Sequence, residues 1–479
     1  MKKESDKYHE ECGVFGVYCQ TLRADVAAQA YLALFALQHR GQDSCGIAVC
    51  DEGVIGYHRD LGLVHEVFTR EVLDKLGTGN MAIGHVRYAG QGRKRRFDAQ
   101  PAVVRHIKGT MAVAHNGCLT NGGELREALE LTGSIFHSTN DAEVISYMIT
   151  KARLHAGSIE ASVEEAMRGL KGAYSLIVMS PTKLVAARDP YGFRPLCIGM
   201  QNGDYFIASE TCALDGLGAD FLRDIEPGEI VVIDKSGLRS IRTHCGQGSG
   251  LCVFEFTYHA RQDSVIEGIS VHEARRKAGA FLALEHPVEA DVVVGVPDSG
   301  LDAAMGYAEA SKIPYGMGFT KNRYIGRTFI LPTQSERERA VGIKLNTIDA
   351  TIKGKRVVMI DDSIVRGTTT GKIISQMRKA GAREVHVRIS SPPFKYPCYF
   401  GTDVDSQENL IASRLTIPEI CSHIGADTLA FLSTGSVTKI AENAGCNFCT
   451  GCFTGHYPIP KPESLCKNKF EQKIGSKQD

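Results

Sequence analysis

The stretch RVVMIDDSIVRGTTTG, residues 356 to 371, leaves the chain few ways to fold around it. A continuous apolar run that stops at two adjacent acids and then passes through a small polar loop into a helix reads as a strand buried on both faces, with its chemistry at the carboxyl end. Neighbouring segments repeat the texture: EARRKAGAFLALEH, DVVVGVP, LDAAMGYAEAS, TTTGKIISQMRKAG and EVHVRISS alternate helical patterns with Val/Ile-rich runs from about residue 270. This alternation predicts an α/β architecture, a parallel sheet covered by helices on both faces. Asp361 and Asp362 can bind ribose hydroxyls or orient a hydrated magnesium ion. The loop that follows, with Ser363, Arg366, Gly367, Thr368 and Thr369, can turn N–H groups and hydroxyls toward a phosphate at the helix N-terminus. Threonine caps behind an acidic strand end account for the polarity, but not for paired carboxylates followed by a Gly-Thr-Thr cradle. The spacings GxxxxGK[ST] and GxGxxG are absent here, which disfavours ATP hydrolysis and dinucleotide binding.

The first half has a different texture. GVFGVYC, GIAVC, MAIGHVRYA and MAVAHNG read as strands, DVAAQAYLALFALQHRG as a helix, and SLIVMSPTKLVAARDP and IVVIDKSGLRSI as hairpins. Such an order predicts an α+β domain closing near residue 242, and the Gly-rich segment HCGQGSG (244 to 250) is the linker candidate. A chain of 479 residues exceeds what one hydrophobic core organises, so two domains are expected. Lys plus Arg and Asp plus Glu both number 55, which leaves no global field for nucleic acid or an anionic membrane and makes phosphate binding a local matter. No apolar run approaches the roughly 20 residues of a membrane span, and the start MKKESDKYHEE lacks the apolar stretch of a secretory signal, so a cytoplasmic location is expected. Fifteen cysteines in such a chain point to thiols, metal ligands or catalysis rather than disulfides.

Cys12 stands in HEECGVFGVYC, between a polar leader and a strand. Cysteines in apolar strands are mostly packed hydrophobes. Here, however, removal of Met1–Glu11 would cost little structure and would give Cys12 a free α-amine, which titrates at about 7.7–8.0 and can take the thiol proton. LQHRGQDSCGIA, GHVRYAGQG, AHNGCLTN and STNDAEVI supply the rest of an amide-hydrolysing site. Arg40 and Arg87 can hold a glutamine carboxylate and Asp141 its α-ammonium, while Asn116 and the Gly117 amide can stabilise an oxyanion. Singly, each has a plain structural explanation: Arg40 as a helix C-terminal charge, Asn116-Gly117 as a hairpin turn, Asp141 as a helix cap.

Near the C-terminus, Cys446, Cys449 and Cys452 in AGCNFCTGCFTG form two overlapping Cys-x-x-Cys pairs, with Cys252 and Cys398 lying apart. Four thiolates complete either a zinc site or an iron-sulfur cluster, and spacing does not choose between them or exclude free thiols.

The motifs ECGVFG, LQHRGQDSCGIA, GHVRYA, AHNG and TNDAEV, in that order, resemble those of the N-terminal-nucleophile glutamine amidotransferases. That resemblance implies a four-layer sandwich of helices around two antiparallel sheets. It also implies Cys12 as nucleophile, Arg87, Asn116, Gly117 and Asp141 in the glutamine site, and Arg40 on the loop beside it. RVVMIDDSIVRGTTTG resembles the type I phosphoribosyltransferase signature, and GVPDSG (295 to 300) its pyrophosphate loop, with Ser299 near the metal. KNRYIGRTFI (321 to 330), carrying Arg323 and Arg327 and followed by Lys344, looks like the loop that closes over such sites. A closing lid and a dry internal passage for ammonia are implied with it.

The pair, together with CVFEF, YPCYF and CTGCFTG, is similar to the propeptide-bearing branch of the amidophosphoribosyltransferases. It implies a four-iron, four-sulfur cluster on Cys252, Cys398, Cys449 and Cys452 with Cys446 left over, magnesium, feedback by purine nucleotides, and a homotetramer. The implied boundaries are a propeptide at 1–11, an amidotransferase domain at 12–243, a phosphoribosyltransferase domain at 250–458 and a tail at 459–479. FTYHARQDS (256 to 264) departs from the family pattern at His259 and Gln262, which touches only local loop geometry. A regulatory protein with an inert first half would lack the nucleophile or carry a basic recognition helix, and neither mark is present. An amidotransferase making another amine is disfavoured by the phosphoribosyl motif.

Overall fold

The computed structural model describes residues 12–88, 95–322, 345–402, 404 and 406–462. It divides into two compact units, one built from Glu10–Leu251 with Tyr399–Thr402 and the stretch from Tyr457, the other from Cys252–Cys398 and Asp403–His456.

The main elements of the first unit begin with β1 (Gly13–Tyr18), α1 (Val26–Ala36), β2 (Ser44–Asp51), β3 (Val54–Leu61), β4 (Met81–Arg87), β5 (Ala102–His106) and β6 (Gly109–Leu119). They continue through α2 (Asp141–Arg153), α3 (Ile159–Met167), β7 (Gly172–Met179), β8 (Leu184–Arg188), β9 (Cys197–Gln201), β10 (Asp204–Ala208), β11 (Asp220–Asp224), β12 (Ile230–Asp234) and β13 (Gly237–Ile241). One sheet runs β11-β9-β10-β1-β4-β2-β3 and the other β13-β12-β8-β7-β6-β5. Neighbouring strands in both are antiparallel.

Side-chain alternation along these strands makes the layers. On β1, Phe15 and Val17 pack with Ala30 and Leu34 of α1, while Val14 and Tyr18 face the second sheet and share a core with Ala112, Ala114 and Ile177. On β6 the alternate residues Met111 and Val113 turn outward onto Ile145, Ile149 and Val163 of α2 and α3. Three apolar cores thus separate four layers, the sandwich that the resemblance implied.

The segment proposed as a linker is packed instead. His244 Nε2 lies 3.0 Å from the Glu164 carbonyl, and the Gly250 N–H donates to the Tyr191 carbonyl at 2.7 Å. Its glycines had suggested freedom, but backbone bonding to the first unit holds it.

The second unit contains α4 (Val271–Glu285), β14 (Val292–Gly295), α5 (Gly300–Ser311), β15 (Arg356–Asp361), α6 (Thr368–Lys379), β16 (Glu384–Ile389), α7 (Ile417–Ile424) and β17 (Thr428–Phe431). Strands β14-β15-β16-β17 form a parallel sheet in that order. Val357, Met359, Val387 and Ile389 bury one face against Ile373, Met377, Ile420 and Ile424 of α6 and α7. The alternate residues Val293, Val358 and Ile360 are also fully buried, so the middle of β14 and β15 is apolar on both faces, as a doubly covered parallel sheet requires. Among the described residues no helix is long and apolar enough to cross a membrane.

Candidate active sites

Cys12 immediately precedes β1, whose first residue Gly13 pairs with Val86 of β4. The Cys12 thiol donates to the Tyr88 carbonyl at 3.9 Å. Its own carbonyl accepts from Arg40 Nε at 3.1 Å, and Arg40 Nη1 lies 2.5 Å from Glu210 Oε1, with both side chains fully buried. His39 Nε2 reaches the same oxygen at 2.8 Å. The Arg40 guanidinium, expected from the sequence to hold a glutamine carboxylate, is here bonded to Glu210 and to the backbone of Cys12, away from solvent. Glu210 and His39 gather with Cys212, but a carboxylate beside a buried guanidinium is an ion-pair partner rather than a metal ligand.

The structure also removes the plain explanations for the other residues. Asn116 and Gly117 lie inside β6, opposite Ser175 and Tyr174, so they are not a hairpin turn. Gly117 has φ +135°, and a Cβ there would come within 2.2 Å of the Ala173 carbonyl, so only glycine fits. The peptide before them is clamped: the His115 N–H donates to Gln100 Oε1 at 2.8 Å, and its carbonyl meets His85 Nε2 at 3.0 Å and Gln100 Nε2 at 3.3 Å. His85 and Arg87 are on the same strand, so this contact brings the Arg87 end of β4 to the Asn116 end of β6.

Asn116 is 1% exposed, yet among the described residues its Nδ2 finds no acceptor, and neither does the buried Nη1 of Arg87. Leaving such a donor unsatisfied costs about 1–3 kcal/mol, a cost that a waiting ligand oxygen would remove. The helix cap at α2 is Asn140, which accepts from Glu143 N at 3.2 Å; Asp141 instead accepts from Leu119 N at 2.8 Å. Burial raises the Asp141 carboxyl above the usual range, opposed by the field of His115, whose imidazole burial pushes down. A cation beside Asp141 would reverse its shift.

At the end of β15, Asp361 and Asp362 are 2% and 4% exposed. Ser299, from the loop after β14, donates to Asp362 Oδ1 at 2.6 Å, and the hydroxyl of Ser363 takes the other oxygen. The Asp362 N–H donates to Asp361 Oδ1 at 3.0 Å. Gly367, at φ +84°, turns the chain into α6, and a pocket is lined by Asp361, Asp362, Ser363, Gly367, Thr369 and Thr370. Arg366, in the loop, and Thr368, the first residue of α6, lie outside that lining. Thr370 is an addition to the expected set; Arg323, Arg327 and Lys344 lie outside the described residues.

Two carboxylates and hydroxyls offer the hard oxygen donors that magnesium takes. The cysteines offer a different set. Burial pushes the Cys452 thiol well up, and the thiols of Cys398, Cys252 and Cys449 add to the effect, so three segments bring four sulfurs together around Cys452. An all-sulfur donor set fits zinc or an iron-sulfur cluster.

The two-sheet sandwich with Cys12 at a strand start, and the parallel sheet ending in an Asp-Asp phosphate loop, define a glutamine amidotransferase joined to a phosphoribosyltransferase. A glutamine amidotransferase domain model matches residues 87–216. The amidophosphoribosyltransferase of Synechococcus elongatus is 46% identical over 469 residues, covering 97% of this chain and 94% of that protein. That of Bacillus subtilis is 45% identical over 463 residues, covering 96% of each. A solved structure of the allosteric regulatory enzyme of purine biosynthesis superposes with TM-score 0.89 at 44% identity, over 97% of this chain and all of that one. The Bacillus subtilis enzyme complexed with ADP and GMP gives 0.87 at 45% identity, over 95% of this chain and 99% of that one. The chain belongs to the amidophosphoribosyltransferases. It forms 5-phosphoribosylamine, glutamate and pyrophosphate from glutamine, water and phosphoribosyl pyrophosphate, the first committed step of purine biosynthesis.

Proposed function

We propose that Cys12, freed of Met1–Glu11, is the nucleophile of the glutamine half-reaction, and that its new α-amine is the base. The thiolate attacks the side-chain amide of glutamine, and Asn116 Nδ2 with the Gly117 N–H receives the oxyanion. Arg87 holds the substrate carboxylate and Asp141 its ammonium. Ammonia departs, and water hydrolyses the thioester. The observation that carries this reading is the buried amide of Asn116, which among the described residues has nothing to donate to.

In the second half-reaction Asp361 and Asp362 hold the ribose, and the loop from Ser363 through Arg366, Gly367, Thr368 and Thr369 holds its 5-phosphate. Arg323, Arg327 and Lys344 gather the pyrophosphate. Ammonia attacks the anomeric carbon as pyrophosphate leaves, so positioning and charge do the work. Magnesium, held by Asp361, Asp362 and Ser299, would supply charge neutralisation to that leaving group.

The four thiols support a [4Fe-4S] cluster on Cys252, Cys398, Cys449 and Cys452, as in the iron-sulfur, propeptide-bearing branch. The cluster's role is structural, since the reaction has no redox step, and Cys446 is left over. A cytoplasmic homotetramer inhibited by purine nucleotides completes the proposal; the Bacillus subtilis relative was solved with ADP and GMP. Intact-mass and iron analysis of anaerobically purified protein tests it. The expected result is a chain beginning at Cys12 with about four irons. Full-rate glutamine hydrolysis by a chain retaining Met1–Glu11 would refute the nucleophile.

A further inference from the structure

The segment Tyr399–Thr402 comes from the phosphoribosyl half of the sequence but packs as part of the first unit. Arg194, fully buried, holds it: Nε and Nη2 donate to the Phe400 carbonyl at 3.2 and 2.8 Å, and Nη2 also reaches Thr402 Oγ1 at 3.3 Å. The carbonyl of Arg194 in turn accepts from Arg188 Nε at 2.8 Å and from the hydroxyl of Ser175 at 3.3 Å. Ser175 is the register partner of Asn116. Phe400 stacks on Phe193 with ring centroids 4.2 Å apart.

Between these anchors sits Gly401, at φ +121°, where a Cβ would meet the Cα and carbonyl carbon of Gly117 at 3.4 Å and Arg194 Nη2 at 3.1 Å. The one position of the segment without a side chain is therefore the one that meets the oxyanion glycine.

We propose that Tyr399–Thr402 is a strap that positions Gly117 and Asn116 for glutamine hydrolysis, with Gly401 as the positioning residue. This rests on the reading of those two residues as oxyanion donors. A segment bolted to Arg194 and running beside Gly117 would fix the donors before the oxyanion forms, which is where such donors gain their effect. An added methyl would strain Gly401 and crowd Arg194 Nη2 at 3.1 Å, displacing the guanidinium that holds the segment beside Gly117.

The test uses the full-length holoenzyme carrying Gly401→Ala, with Thr402→Val as a milder second variant that keeps side-chain shape. Glutamine-dependent kcat should fall at least about tenfold for Gly401→Ala with KM little changed, and about threefold for Thr402→Val. Ammonia-dependent synthesis and the rate of Cys12 alkylation by iodoacetamide should stay at the parental value, because displacement at a saturated carbon builds no oxyanion. If Gly401→Ala does not fold, Thr402→Val decides alone. Unchanged glutamine turnover, or a parallel loss of alkylation, overturns the strap. Retained glutamine hydrolysis by Cys12→Ser would instead overturn the nucleophile reading beneath it.

Discussion

The two sites of this chain are built by opposite means. The ribose-phosphate part of the proposed phosphoribosyl site is one uninterrupted segment, the end of β15 and the turn into α6, with Ser299 bonded to it from the neighbouring loop. The proposed glutamine site would collect Cys12, Arg87, Asn116, Gly117 and Asp141 from four separate stretches. Buried contacts hold most of them: Arg40 and Glu210 behind Cys12, His85 and Gln100 on the His115 peptide that precedes Asn116, Leu119 N on Asp141. A contiguous site carries its geometry in local backbone, whereas an assembled one borrows it from buried polar contacts and inherits their fragility.

The sharpest test of the contrast is Cys12→Ser, expected to cut glutamine-dependent synthesis by about 10⁴-fold or more while ammonia-dependent synthesis persists. Loss of both would mean that the sites do not work separately. Asp361→Asn or Asp362→Asn should do the reverse, lowering synthesis from either nitrogen source by about 10²–10³-fold with iodoacetamide labelling of Cys12 unchanged. Asn116→Ala should cost about 10²-fold in glutamine-dependent kcat with KM little altered, read by steady-state kinetics; a pure KM effect would assign Asn116 to ground-state binding.

The smallest effect is on stability. Burial holds His85 down to about 3, so below about pH 6.5 the unfolded chain takes up a proton that the folded one refuses. Stability of the first unit should therefore fall by up to about 1.4 kcal/mol per pH unit between pH 6.5 and 3. Denaturant midpoints at pH 7.5 and 5 for the parent and His85→Gln check this, the variant showing the flatter dependence.

The phosphoribosyl site was legible because its residues are adjacent: paired acids, a small polar loop and a helix start state their geometry in order. Cys12, Asn116, Gly117 and Asp141 are legible as types and, through the order of the motifs, as a set, but singly each has a good local explanation, and their spacing in the fold appears only when β6, α2 and β4 are packed. That Arg40 bonds to the buried Glu210, 170 positions away, is a contact no local pattern shows. Nothing marked His85, Gln100 or Gly401 beforehand, since a buried histidine, a glutamine and a loop glycine carry no pattern of their own.

By itself the sequence determined the elements, their layers and the chemistry available, because periodicity and turn residues act over a few positions. Tertiary structure decided which polar groups are satisfied and which are left waiting. That depends on contacts between distant segments, and no local pattern encodes them.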